Sequence, residues 1–556
     1  MKGRTWRTST VALLLVLAAA SCSKTQPEFS TERITSTVKT LSADDFEGRA
    51  PATAGERKTV DYIVAQLKDI GLQPGGDASP DGSRAWTQDV PLVRSEIMGP
   101  MIFDVHLGRE VAHWTQGGEV TIRATQAGAT QLKLSNAPLM FIGYGVSAPE
   151  RNWDDFKGVD LKGKVALVLV NDPDYESGSG DFGGRAMTYY GRWTYKYEEL
   201  ARRGAAGALV IHETAPASYG WETVKNSNGG PVFDVRRENP LAQHVPLEGW
   251  IQREAASLLL QKAGLSWQQL KAQAATRDFH PMELKGVTVD VSLHVALDEV
   301  VSKNVIGVLP GASHPDEWLF YSAHWDHLGV GTPDASGDAI FNGAVDNAAG
   351  VAQLLELARA FERAPRTQRS VGFLFVCAEE QGLLGSEYYA TRPLYPLATT
   401  VAVLNTDSPR PTSPARDFMT SGDAPVTLQD SLIEVARSLD RQHSPDTRSQ
   451  AGLFFRSDHF SFAKRGVPAI SFKSGDDLID GGAAAGKAWL EAYDRDRYHQ
   501  PADEFDPATW RSDGIAADAA LLYALGRRLA DSREWPEWKA GSEFKAIRDA
   551  SSAERR

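Results

Sequence analysis

Cysteine is nearly absent: Cys22 and Cys377 are the two among 556 residues, so the chain does not rely on a disulfide framework. Basic residues are the minority, 59 Lys and Arg against 72 Asp and Glu, for a formal net charge of −13. That balance favours solubility and argues against nucleic acid as the main partner, because a polyanion would be repelled. No apolar run is long enough to span a bilayer; Val11 to Ala20 is too short. There is no internal repeat, coiled-coil heptad or low-complexity tract. A Gly-x-Ser-x-Gly elbow is also lacking, and Cys377 lies within an apolar strand-like run, so serine and cysteine nucleophiles find little support. Gly481 through Lys487 matches the spacing of a phosphate-cradling loop. Ala488, however, stands where a metal-binding hydroxyl is required and no strong β run precedes it, so the sequence predicts a flexible loop there.

What is present begins with a leader. Lys2, Arg4 and Arg7 precede the apolar run, and Ala19-Ala20-Ser21-Cys22 closes it. This reads as an export signal over residues 1–22, with Cys22 placed like the acylated cysteine of a bacterial lipoprotein, although Ala19 stands where leucine is usual. The expectation is an exported protein, periplasmic, outer-membrane or secreted, that touches a membrane only through a lipid anchor on Cys22.

The length calls for two or three domains. Ile34, Val38 and Leu41, then Val60, Ile63, Val64, Leu67 and Ile70, recur with helical period and stop at Gly71 and Pro74, predicting two helices. Residues 76–128 lose periodicity and are expected to form an irregular connection or short strands. Between 129 and 280 strand and helix patterns return (Leu139 to Tyr144, Val165 to Val170, Tyr195 to Gly204, Ala208 to His212), which predicts a separate inserted module. The peptide from 31 to 128 then belongs with the segment 286–535. In that segment apolar strands (Trp318 to Ser322, Val371 to Val376, Thr400 to Leu404, Ala469 to Phe472) alternate with helices such as Asn347 to Phe361. Such alternation predicts an α/β fold, a mixed, largely parallel sheet sandwiched by helices. Residues 536–556 read as a charged surface helix or frayed tail.

In open α/β sheets ligands gather beyond the carboxyl ends of the strands. Three strands here deliver His324-Trp325-Asp326, Glu379-Glu380 and Asp407 to that rim. Asp346 precedes the helix carrying Val351, Leu354, Leu355 and Ala358, where the helix dipole favours an ionised carboxylate. In His324-Trp325-Asp326 the carboxylate two residues on can take the second ring N–H of the imidazole. Trp325 is expected to pack rather than to line a pocket. Glu379 and Glu380 diverge at a strand end, so one can be a ligand while the other carries a proton, and the sequence alone does not say which. With His499, these residues offer mixed nitrogen and oxygen coordination suited to two zinc ions and a bridging water.

The segments Ser322-Ala323-His324-Trp325-Asp326, Gly343-Ala344-Val345-Asp346-Asn347, Ala378-Glu379-Glu380, Asn405-Thr406-Asp407 and Tyr498-His499-Gln500-Pro501, in that order, resemble the co-catalytic di-zinc exopeptidases of the leucyl aminopeptidase and glutamate carboxypeptidase type. The resemblance runs from about residue 31 to 530. The insert at 129–280 looks like a protease-associated domain, with Lys162-Gly163-Lys164 before its strand and Arg203-Gly204-Ala205-Ala206-Gly207 after its helix. The resemblance implies a zinc exopeptidase fold, one Zn²⁺ on His324, Asp346 and Asp407, and a second on Asp346, Glu380 and His499. It also implies Glu379 as general base, Asp326 orienting His324, and a cis peptide at Asp346-Asn347. Arg456-Ser457-Asp458-His459 is similar to the aminopeptidase loop that approaches the substrate amine, which makes Arg456 and Asp458 candidate substrate contacts. Tyr498 is similar to a carboxypeptidase tyrosine that helps bind the substrate carbonyl. The reading is an aminopeptidase acting on peptides with a free N-terminus. The alternatives are a glutaminyl-cyclase-like single-zinc acyltransferase, a glutamate-type carboxypeptidase, and a non-catalytic binding protein on the same scaffold.

Overall fold

Alternate residues of the strand His314–His324 enter different cores. Leu319, Tyr321 and Ala323 share a core with Ile34, Leu354 and Leu522, which lie on the helices Thr31–Leu41, Gly350–Arg363 and Asp513–Ala530. Trp318 and Phe320 point the other way, into a core with Tyr389 and Phe462. A strand with both faces covered needs an unbroken apolar run, and this one has it. The computed structural model describes residue 3, residues 27–422 and residues 424–555. Apart from Gly3, the expected leader, Cys22 included, lies outside the described residues, and no helix among the described residues is long and apolar enough to cross a membrane.

The C-terminal strands Ala469–Ser474, Thr400–Thr406, His314–His324 and Arg369–Val376 run parallel in that spatial order, so their carboxyl ends share one rim. Arg369–Val376 then pairs antiparallel with the end of a 28-residue strand, Met282–Leu309. The predicted first two helices are Thr31–Leu41 and Ala54–Ile70, and both are capped from the sequence. Ser30 Oγ accepts the Arg33 amide at 3.2 Å and Thr53 Oγ1 accepts that of Glu56 at 3.3 Å, while Gly71 closes the second helix at φ 96°. On Gly350–Arg363 the stripe Val351, Leu354, Leu355 and Ala358 is buried, each of its larger side chains contributing about 1.5–3 kcal/mol.

The strand Met282–Leu309 ties the two halves into one sheet: its early residues pair with Gln131–Phe141, beyond which Val165–Leu169, Gly207–His212 and Leu247–Gln252 follow in parallel. Leu167, Leu209 and Ile211 pack on one face of this second sheet region, Ala166, Val168 and Val210 on the other. Its core is wider than the 129–280 read from the sequence, since it takes in Phe103, Val105, Trp114 and Ile122 before that range and Val287 to Val295 after it.

Three further expectations are corrected. The 76–128 stretch contains the 21-residue strand Thr87–Leu107, paired along its length with Met282–Leu309; Pro91, Gly99 and Pro100 obscured it in the sequence. The Gly481 to Lys487 segment is no loop but opens the helix Gly482–Asp496. Its alanines favour helix, and Gly486 is required there because a Cβ would come within 2.1 Å of the Asp476 carbonyl oxygen. The charged end is anchored: Trp538 is buried in the main core, and buried Arg548 donates to the Thr400 carbonyl at 3.0 Å.

Candidate metal centre

The rim of parallel strand ends collects the site. His324 is the last residue of its strand, Glu379 and Glu380 follow Val376 through a turn in which Ala378 has φ 52°, and Asp407 directly follows Thr406. Asp346 arrives from the turn Ala344–Ala349 ahead of Gly350–Arg363. That turn starts at Gly343, φ 55°, where a Cβ would sit 2.2 Å from the Asp346 carbonyl oxygen and 2.6 Å from the His327 ring, so only glycine fits. The Asp346-Asn347 peptide is cis. His499 follows the helix Gly482–Asp496.

The two carboxylate oxygens of Asp346 face two imidazoles. Oδ1 is 3.3 Å from His324 Nε2 and Oδ2 is 3.4 Å from His499 Nε2. His324 Nε2 is also 3.5 Å from Asp407 Oδ1, and His499 Nε2 is 3.0 Å from Glu380 Oε2. The structure thus brings together His324, Asp346, Glu380, Asp407 and His499. It adds His327, which the sequence reading passed over: its Nδ1 lies 2.6 Å from Glu380 Oε1, so Glu380 is held between two rings. Its place directly after His324-Trp325-Asp326 was the available signal. Asp503, also passed over, accepts the amides of Val345 (3.1 Å) and Asp346 (3.0 Å) and fixes the Asp346 backbone.

Asp326 occupies a different role from the expected one. Its carboxylate stands 3.8 Å from His324 Nδ1, whereas its backbone oxygen is at 3.2 Å, because the carboxylate oxygens accept the amides of Glu379 and Glu380 instead. Trp325 is fully buried and donates to the Lys303 carbonyl at 3.0 Å. Asp458 is fully buried and lies outside the lining of both cavities described below, while Arg456 lines each of them. Tyr498 lines both as well, its hydroxyl accepting from Arg456 Nη2 at 3.3 Å.

The electrostatics are those of a cation site. Burial pushes Glu379 well above the usual carboxylate range, with Asp458, Asp407 and Glu380 adding to it against His324. Burial alone would raise Asp346 too, but His324 and His499 outweigh it and hold Asp346 well below its ordinary value. Burial pulls His324 down, yet Glu379, Asp346 and Asp407 lift it far above its ordinary value. So many buried carboxylates around a few imidazoles are costly without positive charge among them. His324 Nε2, buried and without a hydrogen bond, is the donor atom such an ion would take. Ligand atoms of His324, Asp346 and Asp407 lie within 4.8 Å of one another, as do those of His327, Asp346 and Glu380. Nitrogen and carboxylate oxygen without thiolate is a donor set that zinc accepts.

A cavity of about 390 Å³ opens beside the centre, between the two halves, and a smaller one of about 120 Å³ lies on its other side. Both reach Glu379, Glu380, Tyr498 and His499. Arg192, from the insert, and Arg456 line the larger one and form no ion pair among the described residues. Burial, with Arg456 nearby, lowers Arg192 to about 10.

Residues 304–524 match the model of Peptidase family M28. The chain is 35% identical over 128 residues to Aminopeptidase NAALADL1 of Mus musculus, 22% of this chain and 16% of that protein. It is 25% identical over 332 residues to the Glutamate carboxypeptidase 2 homolog of Caenorhabditis briggsae, 53% of this chain and 39% of the relative. The chain therefore spans well under half the length of these curated relatives. The solved aminopeptidase from Aneurinibacillus sp. strain AM-1 shares the fold, with a TM-score of 0.53 at 19% identity over 91% of this chain and 96% of that one.

Proposed function

We propose that this chain is a zinc-dependent aminopeptidase that holds two Zn²⁺ ions and removes N-terminal residues from peptides. The observation that supports it most is Asp346 presenting one oxygen to His324 and the other to His499, with buried Glu379 on the wall of both adjoining cavities. His324, Asp346 and Asp407 would hold one ion; Asp346, Glu380 and His499 the other. Zinc there would supply Lewis-acid polarisation of the scissile carbonyl and a lowered pKa for water. Glu379, on the wall of both cavities, takes a proton from the water as the water's oxygen bonds to the carbonyl carbon. When the carbon–nitrogen bond breaks, Glu379 returns that proton to the leaving amine. Tyr498, at the cavity wall, is placed to donate to the developing oxyanion.

The names of relatives, aminopeptidase and glutamate carboxypeptidase homolog, support a peptidase and leave its direction to experiment. A carboxypeptidase reading draws on Arg192 and Arg456, two arginines that line the larger cavity and have no carboxylate ion-pair partner among the described residues. Metal analysis with a panel of aminoacyl chromogenic substrates, and with N-acetylated and C-amidated dipeptides, separates the two. The proposal expects about two zinc per chain and cleavage of C-amidated but not N-acetylated peptides. Cleavage only of N-acetylated peptides with a free carboxylate would replace it with the carboxypeptidase. One zinc with cyclisation of N-terminal glutamine would replace both with the acyltransferase. Residues 1–22 support export and acylation at Cys22 as part of the same proposal. Metabolic labelling with a fatty-acid analogue, abolished in Cys22→Ser, is its test; a wild-type protein that takes up no label would remove the anchor.

A further inference from the structure

The insert does more than wall the larger cavity. Its helix Trp221–Asn228 reaches the metal centre with two side chains. Ser227 Oγ lies 2.8 Å from His499 Nδ1, and Asn226 Nδ2 donates to the His499 backbone oxygen at 3.1 Å. The helix is fixed behind these contacts. Trp221 Nε1 donates to the Gly117 carbonyl at 2.9 Å, and buried Asn228 accepts from Arg123 Nη1 at 2.7 Å while donating to the Val224 carbonyl at 2.8 Å. The insert is also seated on the peptidase half at other points. Met187 N donates to the Ser449 carbonyl at 2.9 Å, Asn171 Nδ2 donates to that of Gln450 at 3.1 Å, and the Tyr189 ring lies 5.5 Å from that of Phe460.

His499 has two ring nitrogens and one task at each. Nε2 faces Asp346 Oδ2 and Glu380 Oε2, the two carboxylates that would share the second ion. An imidazole that gives Nε2 to a cation carries its proton on Nδ1, and that N–H needs an acceptor to fix the tautomer and the ring plane. None of the rim strands supplies one. The acceptor is Ser227, a residue 272 positions earlier in the chain and on the other side of the interface. We infer that Ser227, helped by Asn226, is a positioning residue for His499, so that the affinity of the second cation site depends on the seated insert. His324 of the first site takes its Nδ1 contact from Asp326, within its own strand end, and needs nothing from the insert.

This inference rests on the two-cation reading, and its test is metal binding rather than turnover. Metal-free protein is titrated with Zn²⁺ against a chromophoric chelator, for wild type, Ser227→Ala, Ser227→Thr and Asn226→Ala, with circular dichroism and melting checked for each. Removal of a hydrogen-bond partner behind a ligating histidine typically costs about 10–100-fold in metal affinity. Ser227→Ala should weaken one of two sites by about that factor and leave the other unchanged. Ser227→Thr, which keeps the hydroxyl, should restore it, and Asn226→Ala should have a smaller effect on the same site. Two sites of wild-type affinity in a folded Ser227→Ala, or equal weakening of both, would overturn the inference while leaving the two-cation reading intact. A single site in the wild type would overturn both.

Discussion

Asp326 holds Glu379 by its backbone: one carboxylate oxygen accepts the Glu379 amide at 3.1 Å while the other accepts that of Glu380 at 3.3 Å. The main chain at the proposed proton carrier is therefore fixed without help from the Glu379 side chain. Replacing Glu379 by Gln removes the proposed proton site and leaves Glu380, its neighbour among the proposed ligands, where it was. We expect Glu379→Gln to lose about 10²–10⁴-fold in kcat, the usual worth of a general base, with two zinc ions retained by elemental analysis. Near-normal turnover would assign proton transfer to another group.

Asp346 connects both halves of the centre through its two oxygens, 3.3 Å from His324 and 3.4 Å from His499. Asp346→Ala should weaken both ions together, whereas Asp407→Ala, whose contact is to His324 alone among these imidazoles, should weaken one. The measurement is zinc stoichiometry after dialysis against a graded chelator. Two tightly held ions in Asp346→Ala would remove the bridging role.

What was legible in the sequence is what is local. An apolar run ending in His324, in Val376 ahead of Glu379-Glu380, or in Thr406 ahead of Asp407 announces both a strand and its carboxyl end, and parallel pairing carries those ends to one rim. Ser227 and Arg49 were not legible, because each acts on the centre from a segment remote in the chain; Asp503 follows His499 by four residues, but the amides it accepts, those of Val345 and Asp346, lie in a distant segment. The strand Thr87–Leu107 was hidden for another reason. It lies in a long two-stranded ribbon with Met282–Leu309 where burial alternates only in part, so period-two patterning is weak and its prolines and glycine read as loop. The same ribbon explains why 129–280 misjudged the second core, and it makes excision of those residues a poor probe of the insert: the cut would leave Phe103, Trp114 and Val289 without their partners.

Arg49 is a test of how the rim is braced. Fully buried, it donates to the carbonyls of Leu41 (2.7 Å), Trp325 (2.9 Å), Asn342 (2.6 Å) and Gly343 (2.9 Å), joining the His324 loop to the Asp346 turn. Burial lowers it to about 10, with Asp503, Asp326 and Asp346 opposing, so it stays charged at neutral pH. Arg49→Met leaves the carbonyls of Leu41, Trp325 and Asn342 without a donor, that of Gly343 keeping the Ala348 amide at 3.2 Å, and each costs about 1–3 kcal/mol where water cannot replace the guanidinium. We expect a loss on the order of 3 kcal/mol or more in denaturant midpoints, together with weaker zinc binding. A variant as stable as the wild type would mean that water or a rearranged loop satisfies those carbonyls.

The insert carries its own pH dependence in His244, whose Nε2 is 3.0 Å from Asp234 Oδ2 and whose Nδ1 is 2.9 Å from Glu248 Oε1. Burial pulls this imidazole down, but Glu248 and Asp234 outweigh it and raise it from 6.5 to about 9. Arg237, 2.6 Å from Asp234, and Arg123, 3.7 Å from Glu248, are the cations on the far side of those carboxylates. A group with a raised folded-state pKa binds its proton more tightly in the native protein. Its stabilisation is therefore complete below the unfolded value near 6.5 and is lost as pH rises through about 9. The full effect is on the order of 3 kcal/mol. Melting of the wild type and of His244→Gln, followed from pH 6 to 10, should show the wild type ahead at the acid end and the gap closing toward pH 9 and above. A gap that does not change with pH would show that His244 sits between its two carboxylates unprotonated, and that they are balanced by the arginines alone.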